Sequence, residues 1–412
     1  MIGQPTAAAS QVVPVARPVI GDREMRAIQR PLMSGWLTQG PEVAAFESEF
    51  AAHVGAPHAC AVSNCTTALH LALRALGISA GDEVITVSHS FIASANAIRY
   101  CGAVPVFVDV EADTYNIDAS RIEAVITNRS RAILAVHQLG MPCDLAEILK
   151  VAKRHGLPVI EDAACAAGSE ILWHGCWEPI GRPHGDIVCF SFHPRKVMTT
   201  GDGGMLTTAV PEWDRQFRLW RQHSMTVPDT ARHQSRAVVF EQYSEIGFNY
   251  RLTDLQAAVG REQLGRLTDM VAERRRLAKQ YDAVLVGIEG LHLPREPIWA
   301  RSNWQSYCVR LPEGRDQLQV MQSMLDAGIS TRRGVMCAHR EPAYETEPWR
   351  CAGPSGPVDG RAGPCAALAQ GETVTARGLI LPLYVGMTQE EQSRVVGALA
   401  SALDKSPEAI CR

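Results

Sequence analysis

From Asp22 to Met33 apolar positions recur at helical spacing and stop at Ser34-Gly35, and a second amphipathic helix, Val43–Val54, places Phe46, Phe50 and Val54 on one face. Beyond it the pattern changes. Short runs that are apolar throughout, His58–Val62, Glu83–Val87, Val104–Val108, Ala132–Val136 and Val159–Asp162, alternate with helical patterning over 67–76, 91–100, 118–126 and 144–155. Strands apolar on both faces and separated by helices predict an α/β fold: a parallel sheet covered on both sides, with ligands gathering at the carboxyl ends of its strands. A further apolar run, Ile187–Phe190, follows, and one long amphipathic helix is predicted from a cap at Thr253 or Asp254 to about Val284. From Gly287 the pattern becomes that of a smaller α+β domain. Trp304–Leu311 is strand-like, Gln317–Ala327 helical, Gly353–Gly363 a Gly/Pro-rich loop, Leu379–Leu383 a short apolar run and Thr388–Leu403 a last helix. Residues 1–20 read as an arm that orders only by lying on something else. The expected division is therefore an arm (1–20), a large domain (21–258), and a linking helix with a small domain (259–412).

Composition narrows the partners. Lys and Arg number 40 against 44 Asp and Glu, a net charge of −4, so nothing drives the chain onto a phosphate backbone and no nucleic acid is expected. The start, MIGQPTAAASQVVPVARP, has neither a charged n-region nor a long apolar core, and no run stays apolar for the ~20 residues of a membrane span. A cytoplasmic protein with no membrane partner is expected. The 12 cysteines are scattered with no Cys-x-x-Cys pair, which reads as reduced core residues, with no metal site expected.

Four stretches carry candidate chemistry. GDIVCFSFHPRKVMTTGDGGMLTT (Gly185–Thr208) sets Lys196 on a tight connector beside a buried strand end. Desolvation there lowers a lysine pKa and suits it to Schiff-base chemistry with a carbonyl, the alternative being a solvated loop lysine. Ser63-Asn64-Cys65-Thr66-Thr67 runs from a strand into a helix, where free N–H groups suit a phosphate, or where Ser63 or Thr66 simply caps the helix. Asp162 ends an apolar strand in EDAA; a half-buried carboxylate there needs a cationic or donor partner, unless it caps a following helix. His137, in VHQLG, points at the same sheet edge, as support for the site or as packing. Arg215 to about Val239 is basic and irregular.

Together with SGWLTQGPEVAAFESEFA near the start and GFNYRLTDLQAA at Gly247–Ala258, these stretches resemble the DegT/DnrJ/EryC1/StrS family of pyridoxal 5′-phosphate (PLP) dependent sugar aminotransferases. The resemblance implies a fold-type I architecture, a seven-stranded large-domain sheet plus a smaller C-terminal domain. It makes Lys196 the cofactor-linking lysine and sets Asp162 against the pyridine nitrogen, where a negative charge keeps the ring protonated. Phe91, in SHSFIAS, would stack on the ring. Thr66, with Cys65 where relatives carry Gly, and the Ser191 hydroxyl would hold the phosphate. Cys165 stands near the ring hydroxyl, where relatives carry Gln or His. Asn249 would cross a two-fold interface to the neighbouring subunit's phosphate, making a homodimer with shared sites, and His339 falls where relatives often have histidine. His193 is expected to shape the lysine turn.

The activity so implied moves an amino group from L-glutamate or glutamine to the ketone of a nucleotide-linked keto-deoxysugar, with Arg215, Arg218, Arg221, Arg232 and Arg236 available to a diphosphate. A keto-cyclitol is the alternative acceptor. A PLP-dependent sugar dehydratase is disfavoured because those relatives replace the lysine with histidine. A non-catalytic PLP-binding regulator is disfavoured because Lys196, Asp162, Ser191 and Asn249 are all retained.

Overall fold

The computed structural model describes residues 12–227, 232, 235–353 and 356–404; the first eleven residues of the expected arm lie outside them. Helices α1 (Asp22–Ser34) and α2 (Pro41–Val54) precede β1 (His58–Val62), α3 (Cys65–Ala75), β2 (Glu83–Val87), α4 (Ala93–Tyr100), β3 (Val104–Val108), β4 (Ser130–Val136), α5 (Leu145–His155) and β5 (Val159–Asp162). A hairpin, β6 (Glu170–Trp173) and β7 (Cys176–Pro179), leads to β8 (Ile187–Ser191), β9 (Gly204–Thr208) and α6 (Pro211–Trp220). Then come α7 (Asp254–Leu264), α8 (Leu267–Leu285), β10 (Ala300–Arg301), β11 (Tyr307–Arg310), α9 (Gln317–Asp326) and β12 (Arg332–Arg333). The chain closes with β13 (Arg350–Gly353), β14 (Gly356–Asp359), α10 (Ala369–Arg377), β15 (Gly378–Leu381) and α11 (Gln389–Asp404).

The large sheet has the order β1-β9-β8-β5-β4-β2-β3-β13-β14. Strands β8, β5, β4, β2, β3 and β13 run parallel to one another, and β9 lies antiparallel between β1 and β8. The seven strands from β1 to β3 make the expected sheet, and the β13–β14 hairpin extends it. Every residue of β2, β5, β8 and β9 is buried, as a sheet covered on both faces requires. Helix α2 supports the strand that leads to Lys196: Phe50 meets Phe190 edge-on at 5.0 Å, and Phe46 lies 5.4 Å from Phe192. Burying each such ring contributes about 1.5–3 kcal/mol. Gly260 in α7 lets that helix close on the same cluster, since a Cβ there would come within 2.8 Å of Phe46; Gly260→Ala would force it open.

A second sheet, β11-β15-β12, is antiparallel throughout and closes a separate core with Tyr281, Tyr307, Leu379 and Leu381. Helix α8 joins the cores, Leu267 and Met270 entering the first, Leu277 and Tyr281 the second. The described part of the arm lies on this smaller unit: Val13 N donates to Gly328 O at 2.9 Å and Ser330 N to Val13 O at 2.9 Å. No helix among the described residues is long and apolar enough to cross a membrane.

The structure departs from the sequence reading in five places. Residues 118–126 form two 3₁₀ turns, Ala119–Arg121 and Glu123–Val125; Asp118 accepts from Ser120 N at 3.0 Å, and so short a segment rich in β-branched residues does not nucleate an α-helix. The single helix expected from Thr253 to Val284 breaks at Gly265–Arg266, where Arg266 has φ −116° and ψ 1°. The irregular basic segment begins with helix α6. Within the expected 353–363 loop lies β14, at the sheet edge where Pro357 is tolerated; Trp349 packs on Phe107 at 5.7 Å beside it. The β6–β7 hairpin was not foreseen; His174 and Gly175, with φ of 48° and 85°, close it in a two-residue turn.

Candidate active site

A cavity of about 550 Å³ opens at the carboxyl ends of β1, β2, β4, β5 and β8. It is lined by Cys65, Thr66, Phe91, Asp162, Cys165, Ser191 and Lys196 from the large sheet's turns, and by Gln305, Arg332 and Arg333 from the small unit. Of the residues that the resemblance assigns to the cofactor, Asn249 is not on its wall, and neither is His339.

At the β1–α3 turn the cap is Asn64, not Ser63 or Thr66: Asn64 Oδ1 accepts from Thr67 N at 2.9 Å. This leaves the first N–H groups of α3, on Cys65 and Thr66, at the positive end of an eleven-residue helix beside the cavity. Gly204 makes the turn possible, since a Cβ there would lie 2.4 Å from Asn64 O. Ser191, the last residue of β8, turns its hydroxyl to the same cavity and accepts weakly from His193 N at 3.4 Å. His193 shapes the lysine turn as expected, its Nδ1 accepting from Arg195 N at 3.2 Å and its carbonyl from Lys196 N at 2.8 Å.

Asp162 is 4 % exposed. Its Oδ2 accepts from Ser94 Oγ at 2.8 Å, its Oδ1 from Ala164 N at 3.1 Å, and Cys65 Sγ lies 4.0 Å away. No helix follows it, so it is not a cap. Burial raises its pKa above the ordinary carboxylate range, and the Ser94 and Ala164 donors only moderate this. Such a carboxylate gains most from a cationic donor entering the cavity. Ser94 was missed from sequence, although its spacing from Ser90, which it meets at 3.0 Å, was a visible signal.

Lys196 Nζ donates to Cys165 Sγ at 3.0 Å. Here the expectation of a lowered pKa is reversed. Burial pulls the amine down, but Cys165, with Cys65 and Asp162, outweighs it and holds the ammonium above the ordinary lysine range. Phe91, 58 % exposed, presents its ring to the cavity just ahead of α4. His137 is fully buried and fixed: Cys143 N donates to its Nδ1 at 2.9 Å, so Nε2–H donates to Glu161 at 3.1 Å. His339 is locked between Ser88 Oγ (2.6 Å) and Glu372 (2.8 Å), where it joins the C-terminal segment to the large sheet. Asn249 is exposed, its backbone bridged to Gln222.

None of the five arginines considered for a diphosphate lines the cavity. Arg218 and Arg221 are spent on Glu47: Arg218 Nη1 lies 2.6 Å from Glu47 Oε2, Arg221 binds Oε1, and both donate to backbone carbonyls of β1. Arg215 and Arg232 make long pairs with Glu212 (3.8 Å) and Glu241 (3.7 Å), and Arg236 is exposed.

The donor set fits PLP: an amine on the cavity wall, a buried carboxylate lacking a cation, an exposed aromatic face, and unpaired N–H groups with a hydroxyl for a phosphate. The model of the DegT/DnrJ/EryC1/StrS aminotransferase family matches residues 18–400. The chain is 38% identical to the GDP-perosamine synthase of Caulobacter vibrioides, covering 95% of this chain and 98% of that one. It is 37% identical to the spore coat polysaccharide biosynthesis protein SpsC of Bacillus subtilis, over 94% and 96%. The crystal structure of the aminotransferase TlmJ from Streptoalloteichus hindustanus superposes with a TM-score of 0.83 at 31% identity, over 95% and 98% of the two chains.

Proposed function

This chain belongs to the DegT/DnrJ/EryC1/StrS aminotransferase family and is a PLP-dependent aminotransferase; from that premise we propose that it transfers the amino group of L-glutamate, or glutamine, to the ketone of a nucleotide-linked keto-deoxysugar. The observation that carries the acceptor class is the likeness, over nearly the full length of both chains, to a GDP-perosamine synthase. When bound, PLP supplies the carbonyl that condenses with amines and the ring that takes up electron density. The chain's own residues supply the rest. Lys196 Nζ, the one lysine lining the cavity among the described residues, holds the cofactor and moves the proton at the substrate carbon that bears the nitrogen. Asp162 holds the ring-nitrogen proton, positioned by Ser94. The Cys65 and Thr66 amides and the Ser191 hydroxyl take the phosphate, Phe91 covers the ring, and Cys165 lies beside Lys196.

The active unit in this reading is a homodimer. Asn249 is exposed and lies off its own subunit's cavity wall, which supports a role toward the partner's cofactor phosphate. The eleven described cysteines are free thiols, which suits the reducing cytoplasm.

An assay of purified protein with PLP and glutamate against dTDP-, UDP- and GDP-linked 4-keto and 3-keto sugars tests the acceptor. Turnover of at least one is expected. Amination of free inosose with no nucleotide-linked sugar accepted would overturn the acceptor and leave the aminotransferase intact.

A further inference from the structure

Two arginines on the cavity wall stand outside every ion pair among the described residues. Arg195, next to Lys196, and Arg332, on β12, both line it and are both exposed. Neither has an ion-pair partner among the described residues, whereas the third cavity arginine, Arg333, is paired with Glu341 at 2.8 Å. The acids on the wall are outnumbered: Asp162, buried among its own donors, and Asp202, whose Oδ1 accepts from Gly203 N at 2.9 Å, stand against Lys196, Arg195 and Arg332. Arg218 and Arg221, off the cavity, are by contrast tied to Glu47. Two like charges on one half-enclosed wall favour the arrival of an anion.

The wall that carries them is rigid. Gln305 Nε2 donates to Arg195 O at 3.0 Å, tying the lysine loop to the segment that enters β11. The carbonyls of Trp304 and Gln305 accept from the buried Arg274 at 2.8 and 2.7 Å. Trp304 is held at φ 50°, a conformation costly for a bulky residue and kept only where its surroundings impose it. Arg332 pairs in register with Ile380 of β15, in the sheet that β11 also joins. Arg332 therefore stands on the small unit and Arg195 on the lysine loop tied to it, both on elements separate from the α3 N-terminus that suits the cofactor phosphate.

We infer that Arg195 and Arg332 form a receiving site for an oxyanion group of the substrate, a carboxylate or a phosphate, on the cavity wall where the lysine loop meets the small unit. A planar fork of donors takes either group in two parallel hydrogen bonds. Two sources present one: the carboxylates of the amino donor, and the diphosphate of a nucleotide-linked acceptor. The second rests on the acceptor reading above; the first rests only on the aminotransferase activity.

Calorimetric titration of PLP-loaded enzyme with glutarate, a dicarboxylate that cannot be transaminated, and with dTDP, UDP and GDP tests the site. The variants are Arg195→Ala, Arg332→Ala, their double variant and Arg332→Lys, with the cofactor's visible band and the melting temperature confirming that each is folded and loaded. At least one ligand class is expected to bind about tenfold or more weakly in each alanine variant, with part recovered in Arg332→Lys. A loss confined to glutarate assigns the site to the donor, and one confined to the nucleotides assigns it to the acceptor. A double variant that binds both classes as tightly as the parent, or a parent that takes up neither, overturns the site. A parent that binds glutarate but no nucleotide removes the nucleotide-linked acceptor instead, and the glutarate arm still decides the arginines.

Discussion

Two clusters of buried charge sit in the large unit, one around Glu47 and one around Asp162 and Lys196, and they are balanced in opposite ways. Glu47 is 5 % exposed and saturated: it binds Arg218, Arg221 and, at 2.9 Å, Ala61 N. Burial alone would raise its pKa, but the two guanidiniums outweigh burial and hold it below the ordinary carboxylate range. Asp162 is as deeply buried yet has only neutral donors, and its pKa is raised. Lys196 leans on a sulfur rather than a carboxylate. A complete set of partners marks a charge that holds the fold together, and an incomplete set facing a cavity marks one that awaits something.

The largest expected effect breaks the second cluster outright. Lys196→Ala removes the amine proposed to hold the cofactor and move the proton, so turnover should fall by about four orders of magnitude or more, ~5 kcal/mol in barrier. PLP added to the variant should give no stable lysine-linked visible band. A variant within about tenfold of the parent rate would remove Lys196 from the chemistry.

The two carboxylates should then respond as mirror images. Glu47→Gln leaves the buried Arg221 without a countercharge, while Arg218 keeps Asp214 at 2.8 Å, so stability should fall by about 3–5 kcal/mol, read from the urea midpoint, with activity per folded molecule nearly unchanged. Because Glu47's folded pKa is depressed, its stabilisation is present above the ordinary carboxylate range and lost as pH falls through the depressed value. Asp162→Asn should do the reverse. Activity should drop at least about a hundredfold, ~3 kcal/mol, because in the proposed role of Asp162 the ring proton loses its holder. Cofactor-free Asp162→Asn protein should be as stable as the parent or more so, since a carboxylate with a raised folded pKa costs stability once ionised. An Asp162→Asn protein that melts early while keeping its activity would erase the distinction between the clusters.

That distinction was only half legible in the sequence. Strands β1, β2, β3 and β5 were read at their observed bounds because apolar runs closed by turns leave little choice, and the turns after β1, β2, β5 and β8 carried Thr66, Phe91, Asp162 and Lys196 to one edge. What failed depended on distant partners. Arg218 and Arg221 read as free cations because Glu47 lies 171 and 174 residues away. The strands in the Gly/Pro-rich segment were missed because Arg350 docks on Glu83 across 267 residues. Gln305 and Arg332 belong to the small unit and reach the cavity only through its packing. The lysine pKa was misjudged for the same reason, burial being visible in the apolar pattern while Cys165, 31 residues away, was not.

Cys165 therefore sharpens the comparison with the smallest effect, one of pH rather than of rate. Attack on a carbonyl needs the neutral amine, so a Lys196 held above the ordinary lysine range by Cys165 should take up PLP slowly at neutral pH and faster as pH rises. Cys165→Ala removes the leading contribution that raises this amine and leaves burial, which lowers it. The pH profile for recovery of the cofactor's visible band in dialysed protein should then shift toward lower pH, with loading at neutral pH several-fold faster than in the parent. Cys165→Ser, which keeps a hydrogen-bond partner without the sulfur, should load like the alanine variant if the sulfur is the cause and like the parent if contact alone is. Superimposable profiles for all three proteins would show that the sulfur merely touches Lys196, and would return the raised amine to Asp162 and Cys65.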